Sequence, residues 1–442
     1  MWEIEGASAV LMFVMLFGLV FLGIPVAISL ICTAFAFGLM VFGDTLSAQM
    51  HSRIDDVGKN FVLAAIPLFI FMGAMLERSG IAKRLFEAIR MWLGRLPGGL
   101  SITTIVMCAI FAATSGVVGA VEIVVGLMAV PAMLAAGYKK DLAAGCVCAG
   151  GSLGTTIPPS VVIIIYASIT EQSVGDLFAG IMIPAVAMVA MFIIYILGRC
   201  IIQRDAGPGL PPSETMESLA EKLWFALTAF LPAVFLVTAV LGSIFAGVAS
   251  PTEAAAVGSF GAVVLTACYG RLTPSVLFEA LKRTIMINSM VMMIVAGGVR
   301  FASVFIVSGG DELIGQLVKV LDLTPTGIVI LFLAIVFILG FVLDWISVLL
   351  IALPIFDPLV RAAGIDPIWF GVLVCIALQT SYLTPPMAPS IFYLRAIAPP
   401  EITYMDMYKG VAPFVMVQVV TLIFVFMMPW MATFLPEYLF GW

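Results

Sequence analysis

Hydroxyl side chains gathered around two Pro-Pro dipeptides are the residues of this chain best suited to chemistry, and that chemistry is coordination. The first run reads Gly150-Gly151-Ser152-Leu153-Gly154-Thr155-Thr156-Ile157-Pro158-Pro159-Ser160, and the second reads Gln379-Thr380-Ser381-Tyr382-Leu383-Thr384-Pro385-Pro386. Each interrupts an apolar stretch, so each is expected to be a broken helix. Freed carbonyls with Ser and Thr hydroxyls supply hard oxygen ligands for an alkali cation, and half-helix N-termini offer N–H groups to an anion. Sodium suits such a ligand set better than a transition metal. Two further breaks, Thr114-Ser115-Gly116 and Leu343-Asp344-Trp345, sit midway in long apolar runs, and the second brings a carboxylate where the first has Val117. The candidate sodium ligands are therefore Ser115, Gly116, Gly151, Gly154, Thr155, Asp344, Thr380, Ser381 and Thr384. The candidate solute contacts are Thr156, Pro158, Ser160, Arg300, Pro385 and Ser390. Arg300, inside the apolar run Ile285 to Val307, is costly there unless it meets a solute carboxylate or balances an acid. Glu122 and Glu253 are read either as site residues or as groups near an aqueous end.

The elements that must position these residues are membrane helices. Of 442 residues, 63% are hydrophobic and 10% charged, and the mean hydropathy is +1.20. A soluble domain carries roughly a quarter charged residues. Apolar runs recur that can each cross a hydrocarbon core of about 30 Å as a helix. Runs such as Phe178 to Leu197 show no alternation, which excludes a β-barrel. Glu3 and Glu5 stand where a secretory leader would be basic, so the first helix is expected to stay in the mature protein. Seven Cys scattered in apolar runs and a single His, His51, offer no metal or redox cluster, and the Cys read as small buried hydrophobes.

The chain also aligns with itself at an offset of 227 residues: Pro131 with Pro358, Ala135-Ala136-Gly137 with Ala362-Ala363-Gly364, Cys148 with Cys375, and Pro158-Pro159 with Pro385-Pro386. This is the mark of a duplication. The first half, 1–202, reads as helices at about 8–22, 24–43 and 60–79, an amphipathic stretch at 81–94, a hairpin at about 101–137, a broken helix at about 141–170 and a last helix at 177–199. The second half, 223–442, repeats the series at about 223–243, 251–269, 283–308, 311–322, 327–363, 367–397 and 405–435. Between them, 203–222 is rich in Pro, Gly and acids and is expected to be an exposed cytoplasmic linker. Runs 101–137 and 327–363 are too long for one crossing and are broken midway, so each is read as a re-entrant hairpin. Five crossings per half then force the second half upside down, the inverted-repeat plan of secondary transporters. The fold expected is an all-α polytopic membrane protein of two such halves, with the amphipathic stretches Ile81 to Gly94 and Asp311 to Asp322 as interfacial arms joining a scaffold to a moving, elevator-like unit.

Charge tests the crossing count. With both termini periplasmic, fifteen Lys and Arg fall on the cytoplasmic side, from Arg78 to Lys409, against Arg53, Lys59, Lys319 and Arg361 outside, with Arg300 inside a helix. No G-x-x-x-x-G-K-[ST] occurs, so ATP hydrolysis through a P-loop is excluded, and no Ser/His/Asp set suggests an enzyme.

Several of these segments together resemble one family: IPLFIFMGAMLERSG (66–80), ATSG (113–116), GGSLGTTIPPS (150–160), SPTEAAAVG (250–258), LDWISVLLIALPIFDPLV (343–360) and LTPP (383–386). They are similar to the DctM-type large membrane subunit of tripartite ATP-independent periplasmic (TRAP) transporters, over nearly the whole chain. The resemblance implies sodium-driven uptake of an organic acid across a bacterial inner membrane. It also implies a DctP-type periplasmic solute-binding protein, a small four-helix DctQ-type membrane subunit, and a fold shared with divalent-anion/sodium symporters. Sodium would be the coupling ion and there would be no other cofactor; the bilayer, not nucleic acid, completes the partners. By motif, the family's sodium sites fall on the first tip with GGSLGTTIPPS, and on the second tip with Asp344 and TSYLTPP. The sequence departs from the family after SG at the first tip, which reads SGVVGA, and after TPP in the second loop, which reads TPPMAPS. A stand-alone divalent-anion/sodium symporter of related fold, and a membrane scaffold or enzyme subunit without transport, are the competing readings.

Overall fold

The computed structural model describes residues 2–46, 55, 57–116, 118–210, 219–386 and 388–441, and within them every regular element is helical. His51, Arg53, Val117 and part of the linker, 211–218, lie outside the described residues, as does the side chain of Ser115.

The first helices are α1 (Trp2–Phe21), α2 (Val26–Phe42) and α3 (Ala65–Arg78), followed by α4 (Ile81–Leu93). Ile81, Ala82, Leu85, Phe86, Ala88 and Ile89 form the buried face of α4, while Lys83, Glu87 and Arg90 face outward. The first hairpin is α5 (Gly99–Ser115) and α6 (Ala120–Ala135). The first broken helix is α7 (Lys140–Ser152), a 3₁₀ turn (Leu153–Thr155) and α8 (Val161–Thr170), and α9 (Val174–Ile202) closes the half. The second half opens with α10 (Leu219–Phe245), α11 (Pro251–Cys268) and α12 (Pro274–Phe305), then α13 (Asp311–Val320). Its hairpin is α14 (Pro325–Leu339) with α15 (Trp345–Ala362), and its broken helix is α16 (Pro367–Leu383) with α17 (Pro389–Ile397). The chain ends in α18 (Tyr404–Met427) and α19 (Trp430–Phe440).

Starts follow local chemistry. Ser250 and Glu253 form a reciprocal capping box before α11, as Thr403 and Asp406 do before α18, each satisfying N–H groups that a helix start leaves open. Glu253 is thus a cap at an exposed helix end and no part of the interior site.

Packing is concentrated in two groups of helices. In one, α2 lies on α12, α3 on α11 and α12, α10 on α11, and α1 on α2. In the other, α7 is surrounded by α5, α6 and α18, α16 meets α14 and α18, and α9 meets α19. The far arm of each hairpin packs on the second segment of the other half's broken helix, α15 on α8 and α6 on α17. The α3 to α12 contact is tied by Arg283 to Glu77 at 2.7 Å and Arg78 to Glu279 at 3.4 Å.

Three expectations are corrected. The second broken helix does not unwind at Gln379: that residue and the next four stay helical, and the described non-helical residues are 384–386 and 388. The first run holds three Gly, at 150, 151 and 154, where the second holds none before Pro385, and a helix without Gly or Pro has no reason to open. The last helix does not run unbroken over 405–435, because Pro429, lacking an N–H, separates α18 from α19. The linker's first part is only partly an exposed connection: 203–205 and Gly209 are exposed, but Ala206 and Gly207 are buried. Its backbone bonds the base of the first hairpin, with Gly207 O accepting from Gly98 N at 2.8 Å, Ala206 O from Lys139 N at 3.0 Å, and Gly94 O from Leu210 N at 2.8 Å.

Candidate cation and solute site

Each hairpin tip meets the broken helix of its own half. At the first, Gly116 ends α5 in the left-handed region, φ 59°, which a side chain resists. Its carbonyl accepts from Val161 N at 3.3 Å, and a Cβ placed on it would stand 2.5 Å from the Pro159 carbonyl oxygen. At the second, a Cβ on Gly340 would overlap Ser381, so the turn after α14 rests directly on α16. Pro158-Pro159 and Pro385-Pro386 are both joined by cis bonds.

At both sites the hydroxyls bond backbone carbonyls, from the loop in the first half and mostly from the end of α16 in the second. Thr155 donates to the Ser152 carbonyl at 2.9 Å, Thr156 to Leu153 at 3.3 Å and Ser160 to Thr155 at 2.7 Å. Thr380 donates to Ile376 at 2.8 Å, Ser381 to Leu378 at 2.8 Å and Thr384 to Thr380 at 2.7 Å. A hydroxyl whose proton is committed to a carbonyl has only lone pairs left to offer, which suits a cation and not an anion. The C-terminal ends of α5 and α7, and of α14 and α16, gather at the tips and add the negative ends of their dipoles.

Asp344 caps α15. Its carboxylate accepts from Ile346 N at 3.1 Å, Ser347 N at 3.4 Å and Ser347 Oγ at 2.5 Å. It is half-buried at the tip, so it combines a capping role with a position where a cation could share it.

The two halves are joined through side chains that the sequence reading ranked low or missed. Gln379 and Gln418 both donate from Nε2 to Ser152 Oγ at 3.1 Å, and all three are fully buried. Ser152 and Gln379 are equivalent positions at the 227-residue offset, so their bond lies where the two halves meet. Gln418 went unnoticed; its signal was a lone carboxamide in the apolar run of α18. Glu122 is also fully buried, accepting from Ser390 Oγ at 2.6 Å and standing 3.5 Å from Tyr382 OH. A Cβ on Gly151 would coincide with its side chain.

Of the expected residues, then, Gly116, Gly151, Gly154, Thr155, Thr156, Pro158 and Ser160 share the first tip and loop, while Asp344, Thr380, Ser381, Thr384 and Pro385 share the second. Ser390 meets the carboxyl of Glu122. Arg300 lies on α12, which packs on α2, α3 and α15. The first loop is buried from Gly151 through Ser160 except for half-buried Ile157, whereas Pro385 and Pro386 are exposed.

Helices long and apolar enough to cross a bilayer, packed with shorter broken helices that meet the hairpin tips, define a polytopic membrane protein with an interior polar centre. The chain belongs to the DctM component family of tripartite ATP-independent periplasmic transporters, whose family model matches residues 13–431. It is 32% identical over 414 residues to the C4-dicarboxylate TRAP transporter large permease protein DctM of Pseudomonas aeruginosa, covering 91% of this chain and 93% of that protein. It is 31% identical over 429 residues to the ectoine TRAP transporter large permease protein TeaC of Halomonas elongata, covering 96% and 97%. Among solved structures, the YdaH transporter of Alcanivorax borkumensis shares the fold, with a TM-score of 0.62 at 13% identity over 90% of each chain. The chain is a TRAP transporter large permease subunit, and its relatives are transporter permeases.

Proposed function

We propose that this subunit carries out sodium-coupled uptake of a small organic acid across a bacterial inner membrane. A periplasmic binding protein delivers the solute, and a small membrane subunit rests on the outer group of helices. The observation that carries the reading is the pair of tip-and-loop sites where the protons of Thr155, Thr156, Ser160, Thr380, Ser381 and Thr384 are turned onto backbone carbonyls, leaving oxygen lone pairs for cations. Sodium bound there would bring positive charge beside the N-termini of α8 and α17, and a carboxylate solute would then find a favourable field that neither ion creates alone.

Cation and acid thus enter as a coupled load. The group holding both hairpins and both broken helices is the moving unit of an elevator, the group around α2, α3, α11 and α12 is its scaffold, and α4 and α13 are the arms between them. The halves are inverted repeats, with both chain ends periplasmic and the linker cytoplasmic, as the Lys and Arg distribution supports.

The test is reconstitution with the small subunit and cognate binding protein. Solute accumulates only under an inward sodium gradient; accumulation with potassium alone, or without the binding protein, overturns the reading, and the second outcome favours a stand-alone symporter.

A further inference from the structure

A carboxylate solute needs a proton donor, and the described loop hydroxyls have none to give. Thr155, Thr156, Ser160, Thr380, Ser381 and Thr384 donate to backbone carbonyls, and Ser390 Oγ donates to the Glu122 carboxyl. Tyr393 differs from all of them. It is the fifth residue of α17, it is 42% exposed, and its hydroxyl bonds no group among the described residues.

Two contacts fix where its ring lies. Ser390 stands three residues before Tyr393 on one face of α17 and bonds Glu122 at 2.6 Å. A Cβ on Gly119, three residues before Glu122, would stand 2.9 Å from Cζ and 3.0 Å from Cε1 and Cε2 of the Tyr393 ring. Helices α17 and α6 thus pass each other in opposite directions, and the step from Ser390 to Tyr393 leads toward the first hairpin tip. Gly119 has a φ of 76°, so backbone and space both call for glycine where the ring rests. The phenol end lies over the turn of the first hairpin, close enough to Glu122 and to Asp344 of the second tip to feel both charges. A side chain of the second half therefore reaches the open space between the two tips.

Three roles can be weighed for it. As a brace, the ring alone suffices, and a Phe would sit on Gly119 equally well. A sodium ligand turns its proton onto an acceptor, as Thr155 and Thr384 do, and Tyr393 has no such acceptor among the described residues. A donor to an anion needs an unspent proton on an accessible side chain, and Tyr393 has both. Asp344 makes that donor conditional. Its carboxylate repels an anion at the phenol, and a cation held at the second tip offsets the repulsion.

We infer that Tyr393 positions the solute, donating its phenol proton in a hydrogen bond to a solute carboxylate held between the two hairpin tips, and does so only when sodium is in place. This rests on the proposed transport reading and adds to it the side chain that receives the acid. The ring on Gly119 holds the phenol in position, and the hydroxyl makes the contact.

The first arm of the test is Tyr393→Phe, which keeps the ring on Gly119. In vesicles with the small subunit and the loaded cognate binding protein, uptake is read as entry of radioactive sodium, so the acid need not be identified. Entry at saturating sodium falls about tenfold or more, the loss expected for a hydrogen bond to a charged group; wild-type entry overturns the proposal. The melting temperature of purified Tyr393→Phe, and its rise when sodium replaces potassium with no acid present, match wild type. A lower melting temperature makes the hydroxyl structural, a lost rise makes it a sodium ligand, and either overturns the proposal. The second arm needs no transport. In the full chain carrying Tyr393→Cys, with exposed Cys32 and Cys268 changed to Ser, alkylation at position 393 by iodoacetate and by neutral iodoacetamide is compared by mass spectrometry. The ratio of the two rates rises several-fold when sodium replaces potassium, because a carboxylate is gathered there beside the cation; an unchanged ratio overturns the proposal. Sodium-driven uptake that is missing in wild type while this ratio still responds counts against the transport reading alone.

Discussion

The first tip is held to its loop by backbone, and the second by a side chain. At the first, the Gly116 carbonyl bonds Val161 N, Gly116 itself stands against the Pro159 carbonyl, and the loop behind it is buried almost throughout. At the second, Gly340 rests on the Ser381 side chain, Asp344 spends its oxygens on its own helix, and Pro385 and Pro386 are exposed. The two tip-and-loop pairs carry different locks. The backbone lock cannot be altered by exchanging a neighbour, whereas the side-chain lock can, so the second site is the adjustable and accessible one.

The largest effect that would break this comparison comes from adding a methyl at each tip. Gly116→Ala meets a left-handed backbone penalty of about 1–2 kcal/mol and an overlap with backbone of about 1–3 kcal/mol. Uptake is expected to fall to less than about a tenth, each 1.4 kcal/mol being tenfold. Gly340→Ala should lower the melting temperature too, but Gly340→Ala with Ser381→Gly recovers it, because the obstacle there is one side chain. Recovery at the first tip by any change at Pro159, or none at the second with Ser381→Gly, removes the distinction.

Asp344 sharpens the same contrast at the next level of effect. As a helix cap alone it is worth about 1 kcal/mol against Ala, and Asn caps equally well. Asp344→Asn is therefore expected to keep the wild-type melting temperature and yet raise the sodium concentration for half-maximal uptake by about tenfold, which is 1.4 kcal/mol of ligand loss. Normal sodium dependence in Asp344→Asn makes the residue a cap and nothing more. Glu122→Ala is expected to shift the sodium titration less than Asp344→Ala; an equal or larger shift exchanges their roles.

Where the two sites join, the expected effect is on stability. Ser152→Ala leaves the amides of Gln379 and Gln418 without their acceptor, at about 1–3 kcal/mol for each buried donor. Ser152→Ala and Gln379→Leu combined should cost less than the sum of the two, with a coupling of about 0.5–3 kcal/mol. Simple additivity in the melting temperatures would mean that this bond does not hold the halves together.

Much of this was legible because Pro and Gly punctuate apolar runs, and such punctuation survives in sequence: Pro158-Pro159 with Pro385-Pro386, and Ser115-Gly116 at a hairpin tip, all fall at helix breaks. What stayed hidden depended on depth or on neighbours from far along the chain. Nothing local says that Glu122 lies in the interior, since its enclosure is supplied by Ser390 and Tyr382, more than 250 residues away. The second loop was expected to open at Gln379 because its polar residues matched those of the first, but polarity without Gly does not unwind a helix, and Gln379 through Leu383 stay coiled. The linker looked exposed by composition, yet its small residues let it lie close under the first hairpin, where Gly207 packs between Cys200 and Tyr138.

That support exists under the first hairpin, and it yields the smallest effect. Lys139 pairs with Asp205 at 3.2 Å and holds the Asp205 carboxyl below its usual range, so any stability it contributes is present above the ordinary carboxylate range and is lost as pH falls through the lowered value. Asp205 is fully exposed, where water and salt screen the pair. Asp205→Asn should therefore leave the melting temperature at neutral pH unchanged within error and alter only its decline in acid. Gly209→Ala should lower it, because a Cβ there would stand 2.5 Å from the Arg95 carbonyl oxygen and push the linker off the hairpin base. If instead Asp205→Asn destabilises and Gly209→Ala does not, charge and not backbone holds the linker, and the backbone lock assigned to the first half would have to be confined to its tip.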